Sequence, residues 1–150
     1  MKIDKFLAES PVFAIAKAAR TVEANLNRTL RSEGLGFFQG LLLVAVFFEE
    51  AGRVSPSQLA ASFSTTRGNV SHGLSALESR GLVKRQIDSD DARVLRISIR
   101  PDGRRCAMRL IKCFNTLEAK IESELGAGQV RAAIAAILRV EALSEAVMPL

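Results

Sequence analysis

The chain has 150 residues, of which 48% are hydrophobic, and its formal net charge at pH 7 is +5. This length suffices for one domain with a core, with or without an added dimerisation element, and excludes two independent catalytic domains. The positive charge is concentrated, because residues 65–105 hold nine Lys or Arg against five Asp or Glu. Such a stretch suits a negatively charged partner such as a nucleic acid.

Cysteine content and hydropathy indicate the compartment. Two cysteines are too few for a disulfide framework, and the N-terminus has no pattern typical of a secretory signal, so we expect a cytoplasmic protein. The apolar run Leu41 to Phe48 is eight residues long, whereas a membrane-spanning helix needs roughly 20. It therefore predicts a buried helix, and no membrane partner.

Two helices are predicted in the first third of the chain. The first begins at Ser10-Pro11, where a hydroxyl can cap it and proline suits the first turn. Apolar residues then recur at steps of three and four over about six turns: Val12, Ile15, Ala19, Val22, Leu26 and Leu30. The second helix, from about Phe37 to Glu50, is apolar on nearly every side and should pack between other elements.

A helix-turn-helix is predicted next. Ser55-Pro56-Ser57-Gln58 has the pattern of a capping box and begins a short helix that ends at Ser62. After a polar break, a helix capped by Thr66 or Thr65 runs to about Arg80. A short helix, a turn of three or four residues and a capped second helix are typical of this motif.

The outer face of the second helix of this motif carries polar side chains once Val70, Leu74 and Leu77 face inward. Such a helix fits the major groove of B-DNA, which is roughly 12 Å wide. Arginine suits guanine, asparagine suits adenine, and hydroxyls suit phosphates or bases. The predicted contacts are Thr65, Thr66, Arg67, Asn69, Ser71, His72 and Ser75. His72, the single histidine, is either such a contact or an ordinary surface residue.

The hydrophobic period then changes from helical to alternating. Residues 82–87 and 94–99 are rich in β-branched residues, and the loop 88–93 between them is polar, which predicts a β-hairpin. Another long helix begins at Pro101 and ends at about Glu124, and a final helix follows Gly126 and Gly128. The predicted fold class is mainly α with a small β-hairpin wing, a winged helix-turn-helix flanked by helices from both chain ends.

Several motifs in residues 35–103 resemble the MarR family of winged-helix regulators. The most specific ones, similar to the family's wing and the turn after it, are Asp88-x-x-Asp91-x-Arg93 and Ile99-x-Pro101-Asp102-Gly103. Others match in order and spacing: Leu35-Gly36-Phe37-Phe38-Gln39, Ser57-Gln58-Leu59-Ala60, Asn69-Val70-Ser71 and Leu77-Glu78-Ser79-Arg80-Gly81-Leu82-Val83. The resemblance implies a DNA-binding winged helix at residues 35–103, with a helical dimerisation region at residues 1–34 and 104–150.

The resemblance also implies a homodimer whose two recognition helices enter successive major grooves of a pseudo-palindromic operator. Arg93 at the wing tip would reach the minor groove with Asp91 fixing its direction, and Arg85 and Arg96 would add contacts from the wing. Dimer contacts are expected along the outer helices at Val12, Ile15, Ala19, Leu110, Phe114, Leu117, Ile121, Ile134 and Ile137.

These patterns predict a sequence-specific transcriptional regulator, a repressor that binds double-stranded DNA. No enzyme is expected, since nothing resembles a phosphate loop, a zinc motif or a nucleophile elbow. No cofactor is expected, and the acidic loop lacks the glycine and closing glutamate of a calcium site. An alternative stays open because His72, Gly73 and Ala92 depart from the family's pattern. It is a winged-helix module that binds a protein or acts as an anti-repressor, with weak or no DNA binding.

The signal that would release DNA stays open between a small molecule and a redox change. Phenylalanines in the first half of the chain either form core or line a pocket for a small aromatic effector: Phe37, Phe38, Phe47, Phe48 and Phe63. Cys106 and Cys113 lie roughly 10 Å apart along one helix, too far to bridge each other. They are either buried apolar residues beside the dimer seam or redox sensors that bond across the dimer.

Overall fold

The computed structural model describes residues 2–49, 54–87 and 95–147. The helices are α1 (Lys2–Glu9), α2 (Pro11–Leu30), α3 (Phe37–Phe48), α4 (Pro56–Ser62), α5 (Arg67–Ser79), α6 (Pro101–Leu125) and α7 (Ala127–Val147). The strands are β1 (Val83–Ile87) and β2 (Leu95–Ile99). The predicted fold class is confirmed, and α1 is the one described α-helix that the sequence analysis did not predict.

The chain divides into two compact units. One comprises Leu26–Cys113, and the other comprises Met1–Asn25 together with Phe114–Leu150. Helices α2 and α6 therefore each contribute residues to both units. The first unit holds α3, α4, α5 and the hairpin, and we refer to it as the inner unit because it comprises the middle of the sequence. The second, which holds α1 and α7, is referred to as the outer unit. The predicted domain boundaries at residues 34 and 104 stay a prediction.

Side chains close the N-termini of α3 and α4. At α3 the Asn27 Oδ1 atom accepts a hydrogen bond of 2.6 Å from the Phe37 amide, and Gln39 Oε1 accepts one of 3.1 Å from the Gly36 amide. Asn27 thus supplies a cap that Gly36, which has no side chain, cannot. At α4 the predicted capping box is present, with Ser55 and Gln58 bonded to each other's amides.

The core of the inner unit is formed by one face of each of its helices and by the inward face of the hairpin. Its largest fully buried side chains are Leu30, Leu42, Leu43, Val46, Val70, Leu74, Leu77, Val83, Ile97 and Leu110. Strands β1 and β2 pair antiparallel, with Val83 opposite Ile99 and Arg85 opposite Ile97. Because directly opposed residues of an antiparallel pair share a face, the residues at positions 83, 85, 97 and 99 lie on one side of the hairpin.

Gly73 allows α5 to approach α3 closely. A Cβ atom at this position would lie 2.4 Å from Leu42 Cδ1 and 3.6 Å from Phe38 Cε1. Leu42 is fully buried, so its side chain has little room to move away. The glycine at this position, noted above as a departure from the family's pattern, therefore has a packing reason.

We expect Gly73→Ala to lower the free energy of unfolding by about 1–3 kcal/mol, because the added methyl group overpacks the contact between α5 and α3. Urea unfolding monitored by circular dichroism measures the effect. The matched control is Gly68→Ala on the same helix, where the nearest atom to a new Cβ is Thr66 Oγ1 at 3.8 Å. This control should leave stability unchanged or raise it by up to about 1 kcal/mol. Equal effects of the two substitutions would contradict the close approach.

A cluster of charged groups joins the ends of α2 and α5 to α6 within the inner unit. The Glu33 carboxylate accepts two hydrogen bonds of 2.7 Å from the Arg109 guanidinium, and the Cys106 thiol donates to it at 3.6 Å. The Arg80 guanidinium, at the C-cap of α5, donates to the backbone oxygens of Glu33 and Gly34. The hydrogen bonds from Arg109, aided by its charge, lower the pKa of Glu33 below its ordinary value.

This cluster predicts an acid-dependent loss of stability. The folded-state pKa of Glu33 is depressed, so its contribution is fully present above the unfolded value of about 4.3 and is lost as pH falls through the folded value. In urea unfolding from neutral to acid pH, Glu33→Gln should be less stable than the native chain near pH 7, and the difference should shrink below about pH 4.3. Glu9→Gln, in an exposed pair with Lys5, is the control. A difference that stayed constant with pH would contradict the pairing.

Hydropathy along the helices bears on the predicted absence of a membrane partner. Among the described residues, no single helix is long and apolar enough to cross a membrane. The pair Pro11–Glu33 and Phe37–Phe48, bent by 70°, has the length and composition of a span only when its two members are taken together.

Candidate nucleic-acid interface

Helix α5 begins with a cap that also orients a predicted contact residue. Thr66 Oγ1 accepts a hydrogen bond of 3.1 Å from the Asn69 amide, which makes Thr66 the N-cap. Thr65 Oγ1 accepts a bond of 3.0 Å from Asn69 Nδ2. The two threonines, between which the sequence did not decide, therefore have separate tasks: one caps the backbone and the other holds the side chain of Asn69.

The outer face of α5 is exposed where its polar residues were predicted to contact DNA. Val70, Gly73, Leu74 and Leu77 are buried on its other face. The predicted contacts that are exposed are Thr66, Arg67, Asn69, Ser71, His72 and Ser75, while Thr65 is half-buried. The structure thus brings all seven predicted residues to the outer face of α5 or to the turn before it.

Asn69 keeps the hydrogen-bonding groups that adenine requires. One of its two Nδ2 protons is directed to Thr65, which leaves the other proton and the Oδ1 atom of the same amide. A bidentate pair with adenine uses one amide proton to N7 and the amide oxygen from N6. The bond to Thr65 thus fixes the side chain without removing its capacity to recognise adenine.

Arg85 lies on the inward face of the hairpin, beside α5. Its backbone amide donates to Glu78 Oε1 at 2.8 Å, and its Nε donates to Glu78 Oε2 at 2.8 Å. Its Nη2 atom lies 2.7 Å from Glu78 Oε2 and donates to Ser75 Oγ at 3.0 Å. These bonds lower the pKa of Glu78, the amide bond contributing most. Arg85 was predicted to contact DNA directly, but its side chain is already bonded to Glu78 and Ser75 within the chain.

Ser75 belongs to the same group of hydrogen bonds. Its hydroxyl donates to the Ser71 backbone oxygen at 2.9 Å and accepts the bond from Arg85. A hydroxyl has one proton and two lone pairs, so one lone pair is left for a further partner. In this arrangement Ser75 can accept a hydrogen bond from a base amino group but has no proton left to donate to a phosphate.

The other predicted wing residues are placed differently. Arg96 on β2 is exposed and lies opposite Gln86, on the face of the hairpin away from Arg85. Asp91 and Arg93 lie outside the described residues, so their predicted roles at the wing stay predictions. Arg85 and Arg96, grouped together in the sequence analysis, are thus on opposite faces.

Sequence reasoning missed Glu78 as a member of this site. It was noted only as part of a family motif, although it holds Arg85 through three donor atoms. The available signal was the alternation of β1, in which Arg85 is in phase with the buried Val83 and so faces inward. An inward arginine needs a nearby carboxylate, and Glu78 is the acidic residue on the preceding helix.

The predicted dimer residues divide between the two units. Those exposed on the helices are Val12, Ala19, Leu117, Ile121, Ile134 and Ile137, and those half-buried are Ile15 and Phe114. Leu110 is 1% exposed in the core of the inner unit. Its apolar character is therefore explained by packing within one chain, whereas the exposed residues have no such explanation in the single chain.

The two cysteines are free thiols on α6. Cys106 is buried and Cys113 half-buried. Burial and the adjacent Glu33 carboxylate raise the pKa of Cys106, which disfavours the reactive thiolate. This environment favours the structural interpretation of Cys106, and redox sensing by either cysteine stays a prediction.

Within the described ranges, no cluster of three or more His, Cys, Asp or Glu could hold a metal.

A cavity of about 410 Å³ lies between α3 and α4 in the inner unit. Of the five phenylalanines proposed to line a pocket, Phe48 and Phe63 line it, together with polar side chains that include Glu49 and Gln58. Phe38 packs edge-on against Phe63, and Arg104 lies over the Phe47 ring at 5.3 Å. None of the five phenylalanines is among the buried residues of the core, and the aromatic effector stays a prediction.

Comparisons with known proteins identify relatives of this winged helix. The model of the MarR family matches residues 48–95. The Escherichia coli HTH-type transcriptional regulator PrsX is 28% identical over 87 residues, which are 58% of this chain and 52% of PrsX. The match thus spans about half the length of that relative. The predicted resemblance to the MarR family is confirmed.

Solved structures share the fold. The S. aureus MepR–DNA complex matches with a TM-score of 0.82 and 17% identity, over 89% of this chain and 97% of that chain. The transcriptional regulator BldR from Sulfolobus solfataricus matches with a TM-score of 0.72 and 26% identity, over 93% and 98% of the two chains. PrsX and BldR are named as transcriptional regulators and not as enzymes, in agreement with the prediction.

Proposed function

We propose that the chain is a cytoplasmic transcriptional regulator of the MarR family, a repressor that binds double-stranded DNA as a homodimer. The observation that carries this proposal is the outer face of α5, where the predicted base contacts are exposed while the opposite face is buried. A helix of 13 residues with such a face suits the major groove. MepR, a structural relative, is described in complex with DNA.

Two kinds of contact follow from the proposal. Asn69, whose amide is held by Thr65, reads a base edge, and Arg67 stands beside it at the start of the helix. Arg93 reaches the minor groove from the wing, as the resemblance implies. Contacts of the first kind confer sequence preference, whereas contacts with the backbone or groove strengthen binding to every sequence.

We expect Asn69→Ala to weaken binding to a duplex selected from a random pool by about 1–3 kcal/mol, with little change on random-sequence DNA. Arg93→Ala should weaken both by similar factors. Fluorescence anisotropy at several salt concentrations measures these effects, and log affinity of the native chain should fall linearly with log salt.

Two outcomes would contradict this proposal. Equal losses on selected and random DNA for both variants would argue against base recognition by α5. Native-chain binding that does not depend on salt would show that phosphates are not contacted, and would favour the alternative of a protein-binding or anti-repressor module.

The proposed homodimer is supported by the apolar surface of the single chain. Helix α7 is 21 residues long and has no buried residue, although helices of this kind are stabilised mainly by packing of an apolar face. Its exposed apolar side chains include Ile134 and Ile137, at 53% and 49% exposure. A second copy of the chain that covers them would remove this surface from water.

We expect Ile137→Lys to shift the chain from dimer to monomer, because it places a charge in the proposed apolar interface. Sedimentation equilibrium over a range of protein concentrations measures the shift. The matched control is Ile87→Lys, which changes the same type of residue, more exposed at 68%, on β1 of the inner unit. A native chain that remains a monomer throughout, or equal behaviour of the two variants, would contradict the proposed interface.

A further inference from the structure

Arg85 and Glu78 stand on either side of the turn that connects α5 to the hairpin. The turn is tight: the Gly81 amide donates to the Glu78 backbone oxygen at 2.8 Å, and the Leu82 amide donates to the Leu77 backbone oxygen at 3.0 Å. Gly81 itself has a φ of +68°, a conformation that glycine adopts without strain. Contacts that bridge this turn add to the restraint on the angle between helix and hairpin.

The bridge consists of hydrogen bonds between the last turns of α5 and the middle of β1. Glu78 accepts from the Arg85 backbone amide and from its Nε, at 2.8 Å in each case, and its Oε2 lies 2.7 Å from Nη2. The same Nη2 donates to Ser75, one helical turn before Glu78. Backbone and side chain of β1 are thus both bonded to the helix, which restrains the strand more than a single flexible ion pair would.

The positive charge of Arg85 is already paired with a carboxylate within the chain. The Glu78 carboxylate lies against its guanidinium, and the side chains of Arg85 and Glu78 are 25% and 34% exposed. A DNA phosphate would have to compete with a carboxylate that is already in contact, and would meet the repulsion of that carboxylate as well. Contact with phosphate is therefore a poor explanation of an arginine at this position.

We propose that Arg85 is a positioning residue of the DNA interface: held by Glu78 and Ser75, it fixes the hairpin relative to the recognition helix α5. The inference rests on the proposed function, since it concerns how two DNA-contacting elements are aligned. Strand β2 is paired with β1 through Arg85 and its neighbours, so the alignment extends to the whole described hairpin. Arg85 then contributes to sequence specificity without touching a base.

Glu78 provides a test in which the two explanations predict opposite signs. If Arg85 contacts phosphate, removal of the Glu78 charge frees the arginine, lessens repulsion and strengthens binding to DNA. If Arg85 positions the hairpin, removal of Glu78 releases the strand and weakens binding to the preferred site. The same substitution therefore strengthens DNA binding if Arg85 contacts phosphate and weakens it if Arg85 positions the hairpin.

The experiment compares the native chain with Arg85→Met, Arg85→Lys, Glu78→Gln, Glu78→Ala and the double variant Glu78→Ala/Arg85→Met. Each is titrated by fluorescence anisotropy against a duplex that the native chain selects from a random pool, and against a random-sequence duplex of equal length. Thermal unfolding establishes that each variant is folded at the assay temperature. Lys84→Met is the matched control, because it removes one exposed positive charge from the same strand.

We expect Arg85→Met and Glu78→Ala each to weaken binding to the selected duplex by about tenfold and to lower its preference over random DNA. Glu78→Gln should weaken binding less, because glutamine keeps one oxygen that can accept a hydrogen bond from Arg85 although it has no charge. Arg85→Lys should not restore binding, since an ammonium group cannot reproduce the guanidinium fork. The double variant should be no weaker than the single ones, as expected for two residues that act through one contact.

Three outcomes for the Arg85 and Glu78 variants would overturn the inference. They are tighter binding by Glu78→Ala, full activity of Arg85→Lys, and equal losses for Arg85→Met on selected and random DNA. A loss for Lys84→Met as large and as selective as that of Arg85→Met would overturn it too, because charge alone would then explain the effect. A native chain that binds no duplex would instead refute the proposed function, and the two failures are thereby distinguished.

Discussion

Burial of one face of α5 is the constraint on which the rest of the site depends. Val70, Leu74 and Leu77 are fully buried, and Gly73 lets the helix approach Leu42 of α3 more closely than a residue with a Cβ atom would allow. Because these apolar side chains determine the rotation of the helix about its axis, they also determine which residues face outward. The polar face is therefore presented as a consequence of core packing.

Polar contacts then align the elements that the core has placed. Asn27 caps α3, Thr66 caps α5, and Glu33 and Arg80 tie the ends of α2 and α5 together. Each of these bonds satisfies backbone groups at a helix end or in a turn, where a helix has no partners of its own. The bonds of Asn27 and Arg80 also connect one helix to the end of another, so these two side chains contribute to tertiary alignment as well.

Charged residues in the basic stretch have different tasks, although they are similar in sequence. Arg80 donates to the turn after α2, Arg85 is held by Glu78, and Arg96 lies on the opposite face of the hairpin. Net charge accounts for attraction to a polyanion, but it does not distinguish the cations that meet the polyanion from those that build the surface. The excess of positive charge in residues 65–105 thus overstates the number of side chains available to DNA.

The order and type of most elements could be predicted from the sequence, because capping residues, glycines and hydrophobic period are local properties. The capping box at Ser55, the cap at Thr66 and the change to an alternating pattern after Gly81 are all present in the structure. The exposed face of α5 followed from the same periodicity. Helix α1 was missed, although α4 is shorter, because no capping box marks its start as Ser55 and Gln58 mark that of α4.

Partners distant in sequence were decided only by the tertiary structure. Asn27 as the cap of α3, Arg109 as the partner of Glu33 and Leu42 as the neighbour of Gly73 involve separations that no local pattern encodes. The burial of Leu110 in the core has the same origin, because helical spacing gives the face of a helix but not what covers it. Local chemistry determined which elements form, whereas the three-dimensional packing of those elements determined which residues meet.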